Sequence, residues 1–185
     1  MRNKKVLCLA ESAVMVALAF GLSYAKLFEM PLGGSITLCS MLPIMLIAIK
    51  YGPLVGLSCG FIYSGTQILQ GFGSIFTVGY TGGVVAVMLI FDYVLPFTLL
   101  GLAGIFGKKN RWTPIAGMCF AAGLRLICHY ISGVTIWAQW APFNSWLYSL
   151  LYNGGFLLPD LALTVAAAIL LLSDKGFRGR LDIGK

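Results

Sequence analysis

Charged side chains are scarce in this sequence. Of its 185 residues, 10% are charged and 59% are hydrophobic, whereas a soluble globular domain has about 25% charged residues. So few charges could not cover a water-exposed surface, but they suit a surface that faces hydrocarbon. The scarcity therefore argues against an ordinary soluble domain and indicates an integral membrane protein embedded in a lipid bilayer.

Catalytic and metal-binding signatures are missing as well. The chain has one histidine, and it contains no C-x-x-C pair, P-loop or H-E-x-x-H segment. The five cysteines are scattered through apolar segments, where small packing residues are the usual interpretation. We therefore expect a chain that is not an enzyme and has neither a metal site nor a cofactor of its own. Any ATP-driven work would belong to another subunit.

Six apolar segments follow one another along the chain, most of them long enough to cross a bilayer as helices. They predict helices at about 6–25, 36–50, 53–70, 83–106, 113–136 and 146–173, within a single domain over residues 1–185. The second segment is short, and the third is polar enough to face protein or a cavity rather than lipid. The sequence therefore predicts an all-α membrane protein built as a six-helix bundle.

Basic residues indicate how this bundle is oriented. Six spans place both termini on one side of the membrane, together with eleven basic residues: Arg2, Lys4, Lys5, Lys50, Lys108, Lys109, Arg111, Lys175, Arg178, Arg180 and Lys185. The opposite side has Lys26 alone, and Arg125 lies within a span. Because basic residues favour cytoplasmic loops, we predict cytoplasmic termini and outer loops at about 26–35, 71–82 and 137–145. The net charge of +7 then reflects topology rather than nucleic-acid binding.

Three polar side chains fall at one depth in the last three predicted helices. Counted from the outer ends of these helices, Asp92, His129 and Asn153 lie roughly 13, 12 and 10 Å inside. An ionisable group at such a depth costs about 2.5–3.5 kcal/mol, so its presence indicates a function or a firm structural partner. The alternatives that stay open are a structural hydrogen bond for Asp92 and a packing role for His129.

Aromatic residues crowd the same level: Tyr93, Tyr130, Trp137, Trp140, Trp146, Tyr148 and Tyr152, with Tyr63 of the third helix as a further candidate. For Trp140 and Trp146 an interfacial belt is an equally good interpretation. A carboxylate among aromatic faces suits an organic cation, since each ring adds about 0.5–2 kcal/mol of cation–π attraction. An amide and an imidazole can orient a polar heterocycle. These residues predict an outward-facing pocket for a small organic cation.

Arg125 and Asp160 form a second polar set, near 20 Å depth. We expect a mainly structural interhelical ion pair between them. Since Arg125 and His129 are spaced i, i+4, the pair could also form the floor of the pocket.

Small residues recur at four-residue spacing in two helices. The repeat of Gly52, Gly56 and Gly60 indicates close packing inside the bundle. The stripe of Ala13 and Ala17 in the first helix fits either internal packing or docking of a partner, and the residues alone leave both open.

The segment Asn144–Gly154, preceded by His129 and Trp137 eight residues apart and by the Asp92–Tyr93 pair, resembles a known family. It is similar to the substrate-binding (S) components of energy-coupling factor transporters, and most closely to their thiamine-specific ThiT family. The resemblance covers nearly the whole chain. It implies a bacterial cell-membrane protein that captures thiamine from outside for ATP-driven uptake by a transmembrane coupling subunit and two ATPase subunits.

The resemblance also implies roles for individual residues. Asp92 would face the thiazolium cation, and Tyr93, Trp137 and His129 would stack on or border the ligand rings. The aminopyrimidine would be bound by two residues of the sixth helix, Tyr148 and Asn153. The Ala13/Ala17 stripe would be the alanine motif that docks on the coupling subunit.

The sequence departs from the family pattern at three places. Tyr63 stands where the family has a tryptophan, Asp92 stands where it has a glutamate, and the first outer loop has no tryptophan for a lid contact. Two alternatives stay open: an S-component for another vitamin, and a self-sufficient proton-coupled carrier of a small organic cation.

Overall fold

A computed structural model describes residues 3–77 and 82–184, and within helix α3 it describes no side chains beyond residue 73. The elements in chain order are α1 (Lys4–Tyr24), β1 (Lys26–Glu29), β2 (Ser35–Thr37), α2 (Leu42–Tyr51), α3 (Pro53–Thr77), α4 (Gly82–Gly104), α5 (Trp112–Thr135), a 3₁₀ turn (Ala138–Trp140), α6 (Ser145–Ser173) and α7 (Lys175–Arg180). The chain is predominantly helical, as predicted.

The predicted count of six helices is not confirmed. The described residues form seven helices, because α7 follows α6 after a single residue, Asp174, whose side chain caps it by accepting from the Phe177 N–H. Within the described part of the chain, four helices are long and apolar enough to cross a membrane, namely α1, α4, α5 and α6, and α2 is a shorter apolar helix. The cytoplasmic placement of the termini stays a prediction.

The second predicted helix starts later than expected, and the all-α prediction is wrong at this point. Ser35–Thr37 pairs antiparallel with Lys26–Glu29, so a short β-hairpin occupies the predicted outer loop and the first residues of the predicted helix. Gly33 and Gly34 make its turn with φ values of 90° and 81°, a region that glycine enters without steric cost. The turn therefore depends on glycine.

Helix α3 is longer than predicted. It continues through Thr77, so the prediction of an outer loop is wrong for residues 71–77, while 78–81 lie outside the described residues. Gly71 disfavours a helix by propensity, but a Cβ at this position would collide with the Tyr93 side chain. Tertiary packing against α4 thus overrides the local preference.

Helix α2 lies at the centre of the bundle, with all residues from Leu42 to Ile49 buried. Two glycines of the predicted repeat, Gly56 and Gly60, face α2 and α4. A Cβ on Gly60 would lie 2.5 Å from the backbone oxygen of Phe97, and one on Gly56 would collide with Ala48. These two glycines therefore allow helix backbones to approach closely inside the bundle, as predicted. The prediction is wrong for Gly52, which precedes α3 and has open space around it.

Helix α4 changes its winding along its length. An α-helical start is followed by a π-helical turn at Leu89–Val94 and later by a 3₁₀ segment at Leu99–Gly104. A π-turn closes its hydrogen bonds five residues apart and is frequent at functional sites. The turn contains Asp92 and Tyr93, and both of these neighbouring side chains line the same cavity.

Candidate functional site

A cavity of about 230 Å³ lies between the β-hairpin and helices α3 to α6. Its wall includes the ionisable residues Lys26, Glu29, Asp92, Arg125 and His129 and the aromatic residues Tyr93, Phe97, Trp137, Tyr148, Tyr152 and Phe156. The volume is just below the usual range for small-molecule sites, about 300–1,000 Å³. The cavity therefore suits one small molecule with both charged and aromatic partners.

The Asp92 carboxylate is turned towards α5 and is held by three donors. Oδ2 accepts hydrogen bonds from Ser132 Oγ at 2.7 Å and from Trp137 Nε1 at 2.9 Å, and Oδ1 lies 3.4 Å from His129 Nδ1. The side chain is 15% exposed. These three contacts fix the orientation of the carboxylate at the cavity wall.

His129 connects this carboxylate to a deeper cation. Arg125 Nε donates to His129 Nε2 across 3.5 Å. Since an arginine nitrogen can only donate, His129 Nε2 is the acceptor, and the neutral imidazole then has its proton on Nδ1, facing Asp92. The ring is thereby fixed in one tautomer, with its edge against the Phe156 ring at a centroid distance of 6.0 Å.

Asn153 belongs to the same wall. Its Nδ2 donates to the Ser149 carbonyl at 3.0 Å and to the His129 carbonyl at 3.2 Å, which fastens α6 to α5. The structure thus brings Asp92, His129 and Asn153 to one cavity, together with Tyr93, Trp137 and Tyr148. Their roles in ligand binding stay predictions.

Arg125 and Asp160 approach each other as predicted, with Nη1 3.7 Å from Oδ2 and side chains 8% and 1% exposed. The guanidinium also lies over the Phe97 ring, 4.6 Å from its centroid. Asp160 Oδ1 accepts from the Thr37 backbone N–H at 2.9 Å and from its hydroxyl at 3.0 Å. The pair therefore anchors strand β2 as well as joining α5 to α6.

The β-hairpin is fastened over the cavity by residues of α6. Tyr152 Oη accepts from the Leu32 N–H at 2.9 Å and donates to the Gly33 carbonyl at 2.8 Å. Gly34 lies so close to Phe156 that a Cβ would be 2.6 Å from the ring. Sequence reasoning placed Tyr152 among the aromatic residues but did not foresee these contacts, because they join residues about 120 positions apart.

Tyr63 is not where the sequence prediction put it. Its side chain is 0% exposed and packs edge-on against Phe97, 5.3 Å between ring centroids, inside the core rather than on the cavity wall. One helical turn further along α3, Gln67 lines the cavity instead. Trp140 and Trp146 also lie off the cavity wall and are 51% and 61% exposed, which fits an interfacial belt.

Ser132 is a polar partner that sequence reasoning missed. It is 0% exposed and donates to Asp92. Ser132 follows His129 by three residues, and residues three apart share a helix face. This spacing could have indicated that Ser132 faces Asp92 together with His129.

A comparison with protein families identifies the chain. The family model described as "Thiamine transporter protein (Thia_YuaJ)" matches residues 9–177. The chain belongs to this thiamine transporter family. Membership confirms the predicted resemblance and makes the chain a transport protein rather than an enzyme. Together with its apolar helices it also makes the chain a multi-pass protein of the bacterial cell membrane.

Individual members of the thiamine transporter family are similar over nearly their whole length. The thiamine transporter ThiT of Bacillus subtilis (strain 168) is 28% identical over 186 residues, covering 92% of each chain. The ThiT of Lacticaseibacillus paracasei is 29% identical over 195 residues, covering 93% of this chain and 90% of its own. The solved structure of ThiT from Listeria monocytogenes matches with a TM-score of 0.74 at 24% identity, over 95% of this chain and 99% of that one, and shows the shared fold.

Proposed function

We propose that this chain captures thiamine in the cavity beneath the β-hairpin, from outside the cell, as the substrate-binding subunit of an energy-coupling factor importer. One observation carries the proposal: the Asp92 carboxylate, 15% exposed, lines a cavity together with six aromatic side chains. Thiamine joins a permanently cationic thiazolium to a neutral aminopyrimidine. The anion would offset the charge, and the ring faces would add cation–π attraction.

The positions of the other residues support a binding mode. Trp137 donates to Asp92 and so stands beside the carboxylate, where its ring can border the cation together with Tyr93 and His129. Tyr148 and Asn153 project from successive turns of α6 into the same cavity and offer polar atoms to the aminopyrimidine. Tyr63 has no part in this mode, because it is packed in the core.

Binding of thiamine is tested by calorimetric titration of the purified protein. We expect saturable binding of one thiamine per chain and no binding of riboflavin or biotin, neither of which carries a cationic ring. Absence of saturable thiamine binding would contradict the proposal. Binding of riboflavin or biotin in its place would assign the chain to another vitamin.

Helix α1 supports the assignment of an S-component. Ala13 and Ala17 are both exposed and lie four residues apart on one face, which leaves a shallow stripe for a second helix. We propose that the transmembrane coupling subunit docks here and that two ATPase subunits hydrolyse ATP for uptake. The absence of a P-loop in this sequence agrees with energy supplied by partners.

The docking surface is tested by filling the stripe. In cells that contain the partner subunits, Ala17→Trp should abolish thiamine uptake and leave thiamine binding intact. Leu54→Trp is the matched control, because Leu54 is 79% exposed on a different helix. If the Ala17→Trp variant took up thiamine as fast as the Leu54→Trp control, the coupling subunit would dock elsewhere.

Uptake by this chain alone distinguishes the importer subunit from a self-sufficient carrier. Liposomes that contain the purified chain and a pH gradient should accumulate no thiamine, because the energy comes from partner subunits. Accumulation under these conditions would refute the subunit assignment and leave thiamine binding unaffected.

A further inference from the structure

Three polar side chains lie in a row on one face of α5. Arg125, His129 and Ser132 follow each other at spacings of four and three residues, so they share this face. Arg125 Nε donates to His129 Nε2 across 3.5 Å, and His129 Nδ1 lies 3.4 Å from Asp92 Oδ1. Ser132 Oγ donates to Asp92 Oδ2 at 2.7 Å. The row therefore presents a guanidinium, an imidazole and a hydroxyl in that order, and the Asp92 carboxylate lies at the hydroxyl end.

The guanidinium at the other end of the row is an alternative partner for Asp92. Arg125 faces a different carboxylate, with Nη1 3.7 Å from Asp160 Oδ2. This distance is longer than the 2.7–2.9 Å of a hydrogen-bonded ion pair, so the guanidinium can still attract a second anion. In the described part of the chain, no ion pair joins Asp92 to Arg125. Since water screens partly buried charges only weakly, other contacts must hold the Asp92 carboxylate in its place.

Ser132 supplies the shortest of these contacts and can act on a ligand only through Asp92. Its side chain is 0% exposed and is not among the residues that line the cavity. Its bond to Oδ2 is shorter than the one from Trp137, which measures 2.9 Å. A hydroxyl that donates to a carboxylate forms one of the stronger hydrogen bonds in proteins. Ser132 can therefore fix the position of the carboxylate without contacting the contents of the cavity.

We propose that Ser132 is a positioning residue, which holds the Asp92 carboxylate at the cavity wall and thereby keeps its negative charge for a cationic ligand rather than for Arg125. This inference rests on the proposed function, in which Asp92 faces the thiazolium. A carboxylate that already has its binding orientation need not be reordered when the ligand arrives, and such preorganisation raises affinity.

Calorimetric titration of Ser132→Ala tests this role with two ligands, thiamine and a neutral isostere whose central ring carries no charge. The variant should bind thiamine about three- to tenfold more weakly than wild type, the usual effect of one hydrogen bond. Its affinity for the isostere should stay within about twofold of wild type, because the isostere offers no charge to the carboxylate. An equal loss for both ligands would indicate a purely structural role and overturn the inference.

A double-mutant cycle with Asp92→Asn shows whether Ser132 acts through the carboxylate. In the Asp92→Asn background, adding Ser132→Ala should change thiamine affinity by less than about twofold, since no negative charge remains to be positioned. Losses that add in full would contradict the inference. Ser64→Ala is the matched control, because Ser64 is 1% exposed and its hydroxyl donates to the Phe61 carbonyl of its own helix at 2.7 Å. This control should bind both ligands as wild type does.

The ligand-free structure of Ser132→Ala gives a readout that does not need thiamine. The Asp92 carboxylate should lie nearer to the Arg125 guanidinium than in wild type, and a carboxylate in its wild-type place would overturn the inference. Ser132→Cys has nearly the same volume and a weaker donor, so its thiamine affinity should fall between those of wild type and Ser132→Ala. It replaces Ser132→Ala in these measurements if the alanine variant does not fold. Failure of the wild-type protein to bind thiamine would refute the proposed function, and the position of Asp92 would still decide the role of Ser132.

Discussion

Replacing Asp92 with asparagine removes one negative charge and keeps the shape of the side chain. In the native protein the carboxylate accepts hydrogen bonds from Ser132 and Trp137, 2.7 and 2.9 Å long, and lies near His129. The asparagine oxygen can still accept from the indole N–H, and the serine hydroxyl can rotate. We therefore expect the variant to fold, with a moderate loss of stability.

The effect on a cationic ligand should be larger. A hydrogen bond or close contact with a charged group contributes about 1.5–3 kcal/mol, and each 1.4 kcal/mol is a factor of ten in affinity. Since the carboxylate is 15% exposed, solvent screens it only partly. The Asp92→Asn variant should therefore bind thiamine about 10- to 150-fold more weakly than wild type.

Isothermal titration calorimetry is the appropriate assay for this variant. Trp137 donates to Asp92, so the substitution changes the environment of the residue that would report binding by fluorescence. Titration with a neutral isostere of thiamine, in which an uncharged ring replaces the thiazolium, separates the effect of the ligand's charge from the effect of its shape. Wild type should prefer the cation, and the variant should lose most of that preference. Unchanged thiamine affinity, or an equal loss for the cation and the isostere, would refute a charge contact between Asp92 and the ligand.

Three further substitutions test the supporting structure. Tyr152→Phe removes both hydrogen bonds to the hairpin, so thiamine should dissociate about five- to tenfold faster in stopped-flow measurements; an unchanged rate would mean that these bonds do not retain the ligand. Asp160→Asn leaves the buried Arg125 without its counter-charge and should destabilise the protein by about 3–5 kcal/mol, measured as a fall in Tm, while a wild-type Tm would contradict a structural ion pair. Gly60→Ala should lower the Tm because its Cβ meets backbone, whereas Gly65→Ala, with open space around it, should not; equal Tm values would contradict close packing of α3 on α4.

The polar centre of the site could be predicted because it depends on regular geometry. Counting residues along helices places Asp92, His129 and Asn153 at one depth, and a membrane makes each polar group at that depth conspicuous. The π-turn in α4 shifts the register by less than one turn, which is too little to move Asp92 to another level. The three residues therefore line one cavity although the helix is irregular.

The hairpin and its fastening could not be predicted in the same way. Residues 36–41 continue an apolar segment, and apolar content alone does not distinguish a short strand from the start of a helix. The contacts of Tyr152 with the hairpin and of Asp160 with Thr37 join distant parts of the chain. Such contacts arise from tertiary packing, which periodicity does not encode.

The position of Tyr63 was mispredicted for a related reason. Its aromatic ring is the kind expected in a cation site, but it is buried in the core, and the side chain four residues later on the same helix face lines the cavity. Residue type indicated the chemistry, whereas the position along the axis of α3, about 6 Å apart for these two residues, decided which one lines the cavity.

The π-turn of α4 accommodates one more residue than an α-helical turn, in the stretch that contains Asp92 and Tyr93. Deletion of one residue from this stretch, such as Ile90, which is 45% exposed, would restore ordinary winding with almost no change in composition. Asp92 and Tyr93 would then follow the start of α4 by one residue fewer, so their directions relative to α3 and α5 would change. The shape of the cavity wall therefore depends on the length of this stretch as well as on the residues that line the wall.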